Sequence, residues 1–250
     1  MKNSKVLLII TCGLIILMLL TGCPPKVNQN PKHEYLVEDY EGEKGGILNL
    51  YKSGVPKTFN NAWAQETSST EIIDIFLDSL IGADNKGKPS NTGLAKEWWL
   101  SEDKKTVYYK IRQGLKWSDG EPFTVEDVVW TFKEVYFVEG MTANGPTGYY
   151  DSNGNLPEIE VSGNTVSFTW TEPSFWGFRA VSWTNILPKH ILADEVNSGS
   201  FKEAWGVDDL DELVGMGPFI PAQYKDNEII MERNPYYYRI YGVSKISNNQ

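Results

Sequence analysis

Four carboxylates, Asp119, Glu121, Glu126 and Asp127, crowd into "KWSDGEPFTVEDVVWTF", residues 116–132. Paired acids are the equipment of glycoside hydrolysis. One donates a proton while the other attacks or activates water, from positions roughly 5–10 Å apart, and one of the two has a raised pKa. Closeness in sequence supplies neither condition. The local pattern gives each acid other work. Asp119-Gly120 is a turn signal. Thr124 stands three residues before Asp127, the spacing of a capping box. Glu126 and Asp127 then fall in the first turn of a helix, where the positive end of the dipole favours carboxylates. Val128, Val129, Phe132 and Val135 supply the apolar stripe behind them. The segment therefore reads as scaffolding, and a secreted hydrolase using these acids stands as an alternative function.

Other reactive patterns are thinner still. "GADNKGKP" (82–89) approaches a phosphate-binding loop, but Pro89 replaces the magnesium-holding hydroxyl and a helix, not a strand, is expected before it. No G-x-S-x-G nucleophile elbow occurs. The two histidines, His33 and His190, have no companions for a zinc site, which wants three or four clustered ligands. No catalytic residue, metal or cofactor is assigned. Of nine tryptophans, Trp98, Trp117, Trp130 and Trp170 fall in or beside core elements, whereas Trp63 and Trp183 read as loop residues. Loop aromatics suit ligand binding, and packing against another lobe explains them equally.

The elements that would carry these residues form a mixed α and β series. Gly45–Gly54, Val107–Arg112 and Glu228–Asn234 read as strands, the second by strict alternation of Val107, Tyr109 and Ile111 with Tyr108, Lys110 and Arg112. Glu158–Val161 and Thr165–Trp170 flank "SGN" as a hairpin. Ser68–Ile81 has helical spacing, and Pro188–Val196 and Phe201–Trp205 read as short helices.

The chain begins with a short cationic stretch, then fifteen apolar residues, Val6–Leu20, then Leu20-Thr21-Gly22-Cys23. A membrane span needs roughly 20 apolar residues, so the run suits an export signal. Residues 1–22 are expected to be a lipoprotein signal peptide, with Cys23 acylated after cleavage. A plain signal peptide or uncleaved anchor, with Cys23 incidental, is the other reading. Residues 23–45 are polar and proline-bearing and are expected to form a tether. Loss of Lys2 and Lys5 with the leader takes the net charge from −10 to −12. That surface repels phosphate backbones, so nucleic acid is excluded as a partner.

"LAKEWWLSEDKKTVYYKIRQGLKWSDGEPFTVEDVVWTF" (94–132) resembles the signature region of the family 5 solute-binding proteins, the oligopeptide and dipeptide receptors of ABC importers. "GGILNL" and "TFNNAW" (from Gly45), "NILPKHIL" (Asn185–Leu192) and "GMGPFIPAQYKDNEIIMERNPYYY" (Gly215–Tyr238) resemble further family segments, in the family's order. Asn61, Met216 and Tyr236 depart from the common residues. The resemblance implies an α/β, periplasmic-binding-protein-like type II lobe. Its core is expected from 46–62 and 185–250, with 63–184 an inserted subdomain. Family chains are about twice as long, so the second lobe is expected to be missing and ligand binding by this chain alone to be weak.

The resemblance further implies a lipid-anchored peptide receptor on the outer side of the membrane, periplasmic or cell-surface, partnered by ABC permease subunits and closing two lobes over its ligand. An oligosaccharide receptor of the same family is the alternative. Carried over by position, the first-lobe contacts fall on Gln65, Glu66 and Thr67, which also read as a polar lead-in to a helix. Tyr149 and Tyr150, in a glycine-rich loop, are further candidates beside Trp63 and Trp183.

Overall fold

A computed structural model describes residues 5–12, 17–21, 37–38, 48–52, 54–84 and 86–241. In chain order the strands are β1 (Lys5–Cys12), β2 (Leu17–Thr21), β3 (Val37–Glu38), β4 (Leu50–Lys52), β5 (Gly82–Ala83), β6 (Pro89–Ser90), β7 (Ala95–Leu100), β8 (Thr106–Ile111), β9 (Glu158–Ser162), β10 (Thr165–Thr169), β11 (Phe219–Lys225), β12 (Glu228–Arg233) and β13 (Ile240–Tyr241). The helices are α1 (Thr67–Phe76), α2 (Val125–Trp130), α3 (Phe175–Trp183) and α4 (Lys189–Ser198). A π-turn, Thr131–Tyr136, continues α2.

Two larger sheets organise the chain. In the antiparallel sheet β7-β8-β10-β9, alternation decides the faces. Val107, Tyr109, Val166, Phe168 and Ile159 are buried together, and Trp99 stacks on Tyr108 on the other side, their ring centroids 5.2 Å apart. Arg112 breaks the expected alternation. It is buried, and its Nε donates to the Gly93 carbonyl at 3.0 Å. The helix running through α2 and the π-turn covers the inner face, where Phe132 meets Phe168 edge-on at 4.9 Å. The α3 side is fixed by a 2.6 Å hydrogen bond between the Tyr109 and Ser182 hydroxyls.

The second sheet runs β11-β12-β1-β2, with β4 parallel to β1. Ile229 and Met231 of β12 are fully buried, as their alternation predicts. Of the expected leader, 5–12 and 17–21 are described, as β1 and β2. Cys23 and the expected tether, β3 apart, lie outside the described residues. The β1 pairing belongs to a chain that keeps those residues. Cleavage after Gly22 would leave β12 paired with β11 alone.

Three expectations are corrected. Helix α1 ends at Phe76, not Ile81. The Phe76 carbonyl, which a continuing helix would give to Leu80, accepts the Gly217 N–H at 2.8 Å instead. Leu80 and Ile81 are still fully buried, but in extended chain where Ser79 bridges Asn185. Phe201–Trp205 is a run of turns with Trp205 at φ 59°, and its carbonyl takes the Phe59 N–H at 2.8 Å. Trp183 is no loop residue but the last residue of α3, whose start Ser174 caps by accepting the Gly177 N–H at 3.0 Å.

Candidate functional site

The four acids that could have done chemistry are already occupied or apart. Thr124 and Asp127 form the capping box, with the Thr124 N–H donating to Asp127 Oδ2 at 2.8 Å. Burial pushes the Asp127 carboxyl up, against hydrogen bonds from the Thr124 and Lys189 backbone. Asp119 Oδ2 lies 2.7 Å from His190 Nε2, on the first turn of α4. Glu126 faces Lys189 Nζ at 3.6 Å. Glu121 is exposed in the turn. The small hollow beside them, about 300 Å³, is walled by groups that hold α2 to α4. Among the described residues no group of three or more His, Cys, Asp or Glu is placed to hold a metal. In 82–89, the Asp84 carboxylate accepts the N–H groups of Lys86 and Lys88, which a phosphate would have needed.

The candidate binding residues fall into two stretches. The first is the loop Asn60–Glu66 ahead of α1. Asn60 is buried and pins it, donating to the Phe201 carbonyl at 2.6 Å and accepting the Ala62 N–H at 3.0 Å. Trp63 is partly buried beneath Lys202 Nζ, 4.8 Å from its ring centroid. Gln65 and Thr67 are exposed. The Glu66 carboxylate is used locally. It accepts the Ser69 hydroxyl at 2.5 Å and the Lys57 N–H at 3.2 Å. Burial pushes its pKa up, and these hydrogen bonds outweigh that and hold it below the ordinary value.

The second stretch borders a cavity of about 670 Å³ between the 3₁₀ turn Gly145–Tyr149 and α3. Tyr150 and Trp183 both line it, joined by Asp151, Trp176 and Arg179. Tyr149 does not. Its ring is buried among Phe132, Tyr136 and Phe137, its hydroxyl is 2.7 Å from Thr184 Oγ1, and burial pushes its pKa to about 12. Tyr149 is thus a wall support, and Tyr150 is the tyrosine that reaches the opening. Trp176 and Arg179 are not among the residues singled out by the sequence. The signal was present as Ser174 three residues before Gly177, a helix start that puts 176, 179 and 183 on one face.

The two stretches share one framework. Asn61 Nδ2 donates to the Tyr136 hydroxyl at 2.6 Å, and the Ala62 carbonyl accepts the Ala143 N–H at 2.9 Å. The Tyr136 ring lies 6.0 Å from that of Tyr149, which is bonded to Thr184 beside Trp183. Ser174 donates to the Tyr150 carbonyl at 3.0 Å, tying the start of α3 to the turn. Both surfaces are therefore held from behind by buried hydroxyls and rings, as a pre-formed recognition surface requires.

Asp151 stiffens the cavity rim. Its carboxylate accepts the Thr171 hydroxyl and the N–H groups of Asn155, Asn153 and Glu172. Led by Thr171, these hold its pKa at about 2, below the ordinary 3.8. A depressed carboxylate pKa means stability that is present above 3.8 and lost as pH falls through 2. Asp151→Asn should therefore melt below the parent at pH 7, with the gap closing as both are acidified from about pH 4 towards pH 2, read by differential scanning calorimetry. A gap constant across that range would show that the charge plays no part.

The sequence comparison decides the family. The family model for "Bacterial extracellular solute-binding proteins, family 5 Middle" matches residues 91–248, more than half of the chain. The chain belongs to family 5 of the solute-binding proteins. It is 25% identical over 257 residues to the dipeptide-binding protein DppE of Bacillus subtilis, covering 95% of this chain and 44% of that protein. Among solved structures it is similar to the oligopeptide-binding protein AppA of Bacillus subtilis in complex with a nonapeptide (TM-score 0.56, 25% identity, 75% of this chain and 38% of that one). It also resembles in fold the periplasmic binding protein MelB of Agrobacterium fabrum in complex with stachyose (TM-score 0.59, 24% identity, 74% and 30%). This family 5 chain thus spans less than half the length of the relatives it matches. Its mixed α/β architecture is that of a part of the periplasmic-binding-protein fold. Among the described residues no helix is long and apolar enough to cross a membrane.

Proposed function

We propose that this family 5 chain is the ligand-recognising portion of a lipid-anchored receptor that captures peptides outside the membrane and passes them to an ABC importer. Cys23, directly after Leu20-Thr21-Gly22, is the residue that would carry the lipid, and the importer's permease subunits are the expected partners. The observation that carries the reading is the common framework behind the Asn60–Glu66 loop and the Tyr150–Trp183 cavity. It presents recognition surfaces, while the nearby acids are spent on caps and pairs. The mechanism is gripping. Ligand docks on this surface, a second lobe closes, and the closed state is stabilised by its added contacts. No bond in the ligand is made or broken.

A second reading has its own support. Tyr150, Trp176 and Trp183 give the cavity the aromatic walls on which sugars stack, and the stachyose-bound MelB shares the fold. Saturation-transfer NMR on the 250-residue chain separates the two, with a mixed tripeptide pool in one titration and stachyose in another. The peptide reading expects transfer to the peptides, whose signals persist unchanged in intensity over hours. Transfer to stachyose alone moves the assignment to sugars. Steady disappearance of peptide bonds would restore the hydrolase alternative.

A further inference from the structure

We infer that the cavity between the 3₁₀ turn and α3 is a subsite for a ligand end group that joins a carboxylate to an aromatic or apolar body, with Arg179 as its anchor. The inference deepens the peptide-receptor reading and rests on it for the ligand's origin; a peptide C-terminus with an aromatic last residue has this chemistry.

Trp176, Arg179, Ala180 and Trp183 stand at i, i+3, i+4 and i+7, so they share one face of α3, and all four line the cavity. The opposite face, with Gly177, Val181 and Ser182, is buried. An α-helix that spends its outward face on two indoles and a guanidinium presents a surface with a defined chemistry. Trp176 is 69% exposed, so its ring is not consumed by packing.

The electrostatics select the sign of the ligand. Arg179 lies with its guanidinium carbon 5.8 Å from the Trp183 ring centroid. Among the described residues no carboxylate lies within ion-pair distance of it. Among the described residues Asp151 is the one acid that lines the cavity, and four donors already fill both its oxygens. Those donors are neutral and leave its charge in place, but they occupy both oxygens at the rim, and no ion pair joins it to Arg179. A guanidinium laid against an indole keeps its N–H edges for a planar acceptor, and a carboxylate meets two of them at once. The ring or apolar chain attached to that carboxylate then falls beside Trp176 and Trp183. A neutral sugar would use the same rings and be indifferent to the cation.

The test is a ligand-observed NMR titration of the 250-residue chain with N-acetyl-phenylalanine and with its amide. A ligand this small should bind with a Kd on the order of 1 mM. The amide should bind at least about tenfold more weakly, because it forfeits a charge-assisted pair. Arg179→Gln should bring the acid down to the amide's level, Arg179→Lys should fall between, and Trp183→Leu should weaken both probes. Arg179 is exposed, so an unchanged melting curve for Arg179→Gln shows that the fold survives. Equal binding of acid and amide, no binding of the acid, or an Arg179→Gln chain that binds the acid as before, would overturn the subsite. If the probes obey Arg179 while no peptide binds even at the probes' millimolar level, the subsite stands and the peptide receptor falls. If peptides bind and ignore Arg179→Gln, the receptor stands and the subsite falls.

Discussion

Gly215→Ala should lower the melting temperature by about 10 °C, the result of a loss of about 3 kcal/mol or more in a chain of this size. The reason is a close approach of two backbones. A Cβ on Gly215 would sit 1.9 Å from the Phe76 carbonyl oxygen and 2.8 Å from its carbon, at the last residue of α1. Backbone atoms at a helix end cannot turn aside as a flexible side chain can, so either α1 or the 215–217 segment must move. Both options are costly. Gly217 would meet the Ile75 carbonyl oxygen at 2.2 Å, and its own N–H is the donor that closes the helix on Phe76. Shifting the segment therefore strips that cap as well. Gly148→Ala is the control. An added Cβ there has no atom within 4 Å, and Gly148 is not among the glycines with positive φ. It should leave stability unchanged or slightly raised, since alanine reduces the freedom of the unfolded chain. Thermal unfolding followed by far-ultraviolet circular dichroism compares the three. A Gly215→Ala chain that melts with its parent would mean that α1 and the 215–217 segment do not lie this close.

Phe132→Ala is the second large effect, with an expected loss of about 3–5 kcal/mol in urea unfolding. Phe132 is fully buried in the π-turn, with its ring 4.9 Å from Phe168, 5.4 Å from Phe137 and 5.9 Å from Tyr149. It joins the helix to the sheet and backs the rings that support both the Asn60–Glu66 loop and the cavity beside α3. Truncation leaves a hole that stiff neighbours fill poorly. Phe132→Leu keeps most of the volume and should cost about 1 kcal/mol. If the alanine and leucine variants unfold at the same urea concentration, the ring is not the keystone proposed. Binding should follow stability here. Tyr136 and Tyr149 hold Asn61 and Thr184 through their hydroxyls, and a loosened pair of rings would loosen the loop and the cavity together.

Much of this arrangement could be read beforehand where one local rule was decisive. Alternation alone puts Val107, Tyr109 and Ile111 on the buried face of β8, and the Thr124–Asp127 spacing alone predicts the cap that occupies Asp127. The misses share a different cause. Leu77, Leu80 and Ile81 keep helical spacing, and distant backbone partners stop α1 at Phe76: the Gly217 N–H donates to the Phe76 carbonyl, and Asn185 pairs with Ser79. Arg112 alternates correctly for exposure, yet nearby loop carbonyls, including that of Gly93, draw it inside. At the cavity, Tyr149 and Tyr150 are equivalent as letters. A 3₁₀ turn puts one into the core and leaves the other on the rim, and nothing local distinguishes them. "FWGFRAVSW" is rich in aromatic residues and contains a glycine, all poor helix formers, so Trp183 reads as a loop residue, and the helix is imposed by the Ser174 cap and the packing beneath.

The unequal placement of the indoles gives this protein a built-in optical sensor. Trp117 and Trp205 sit in the dry interior and emit from there, while Trp176 and Trp183 look out over the cavity. Light emitted at the red edge thus comes from these two at the mouth of the hollow and from Trp99, exposed on the outer face of β7, so a Trp99→Phe chain would leave the hollow to supply most of it. A ligand settling between those rings would shift or dim that edge, so an occupant could be watched without attaching a dye.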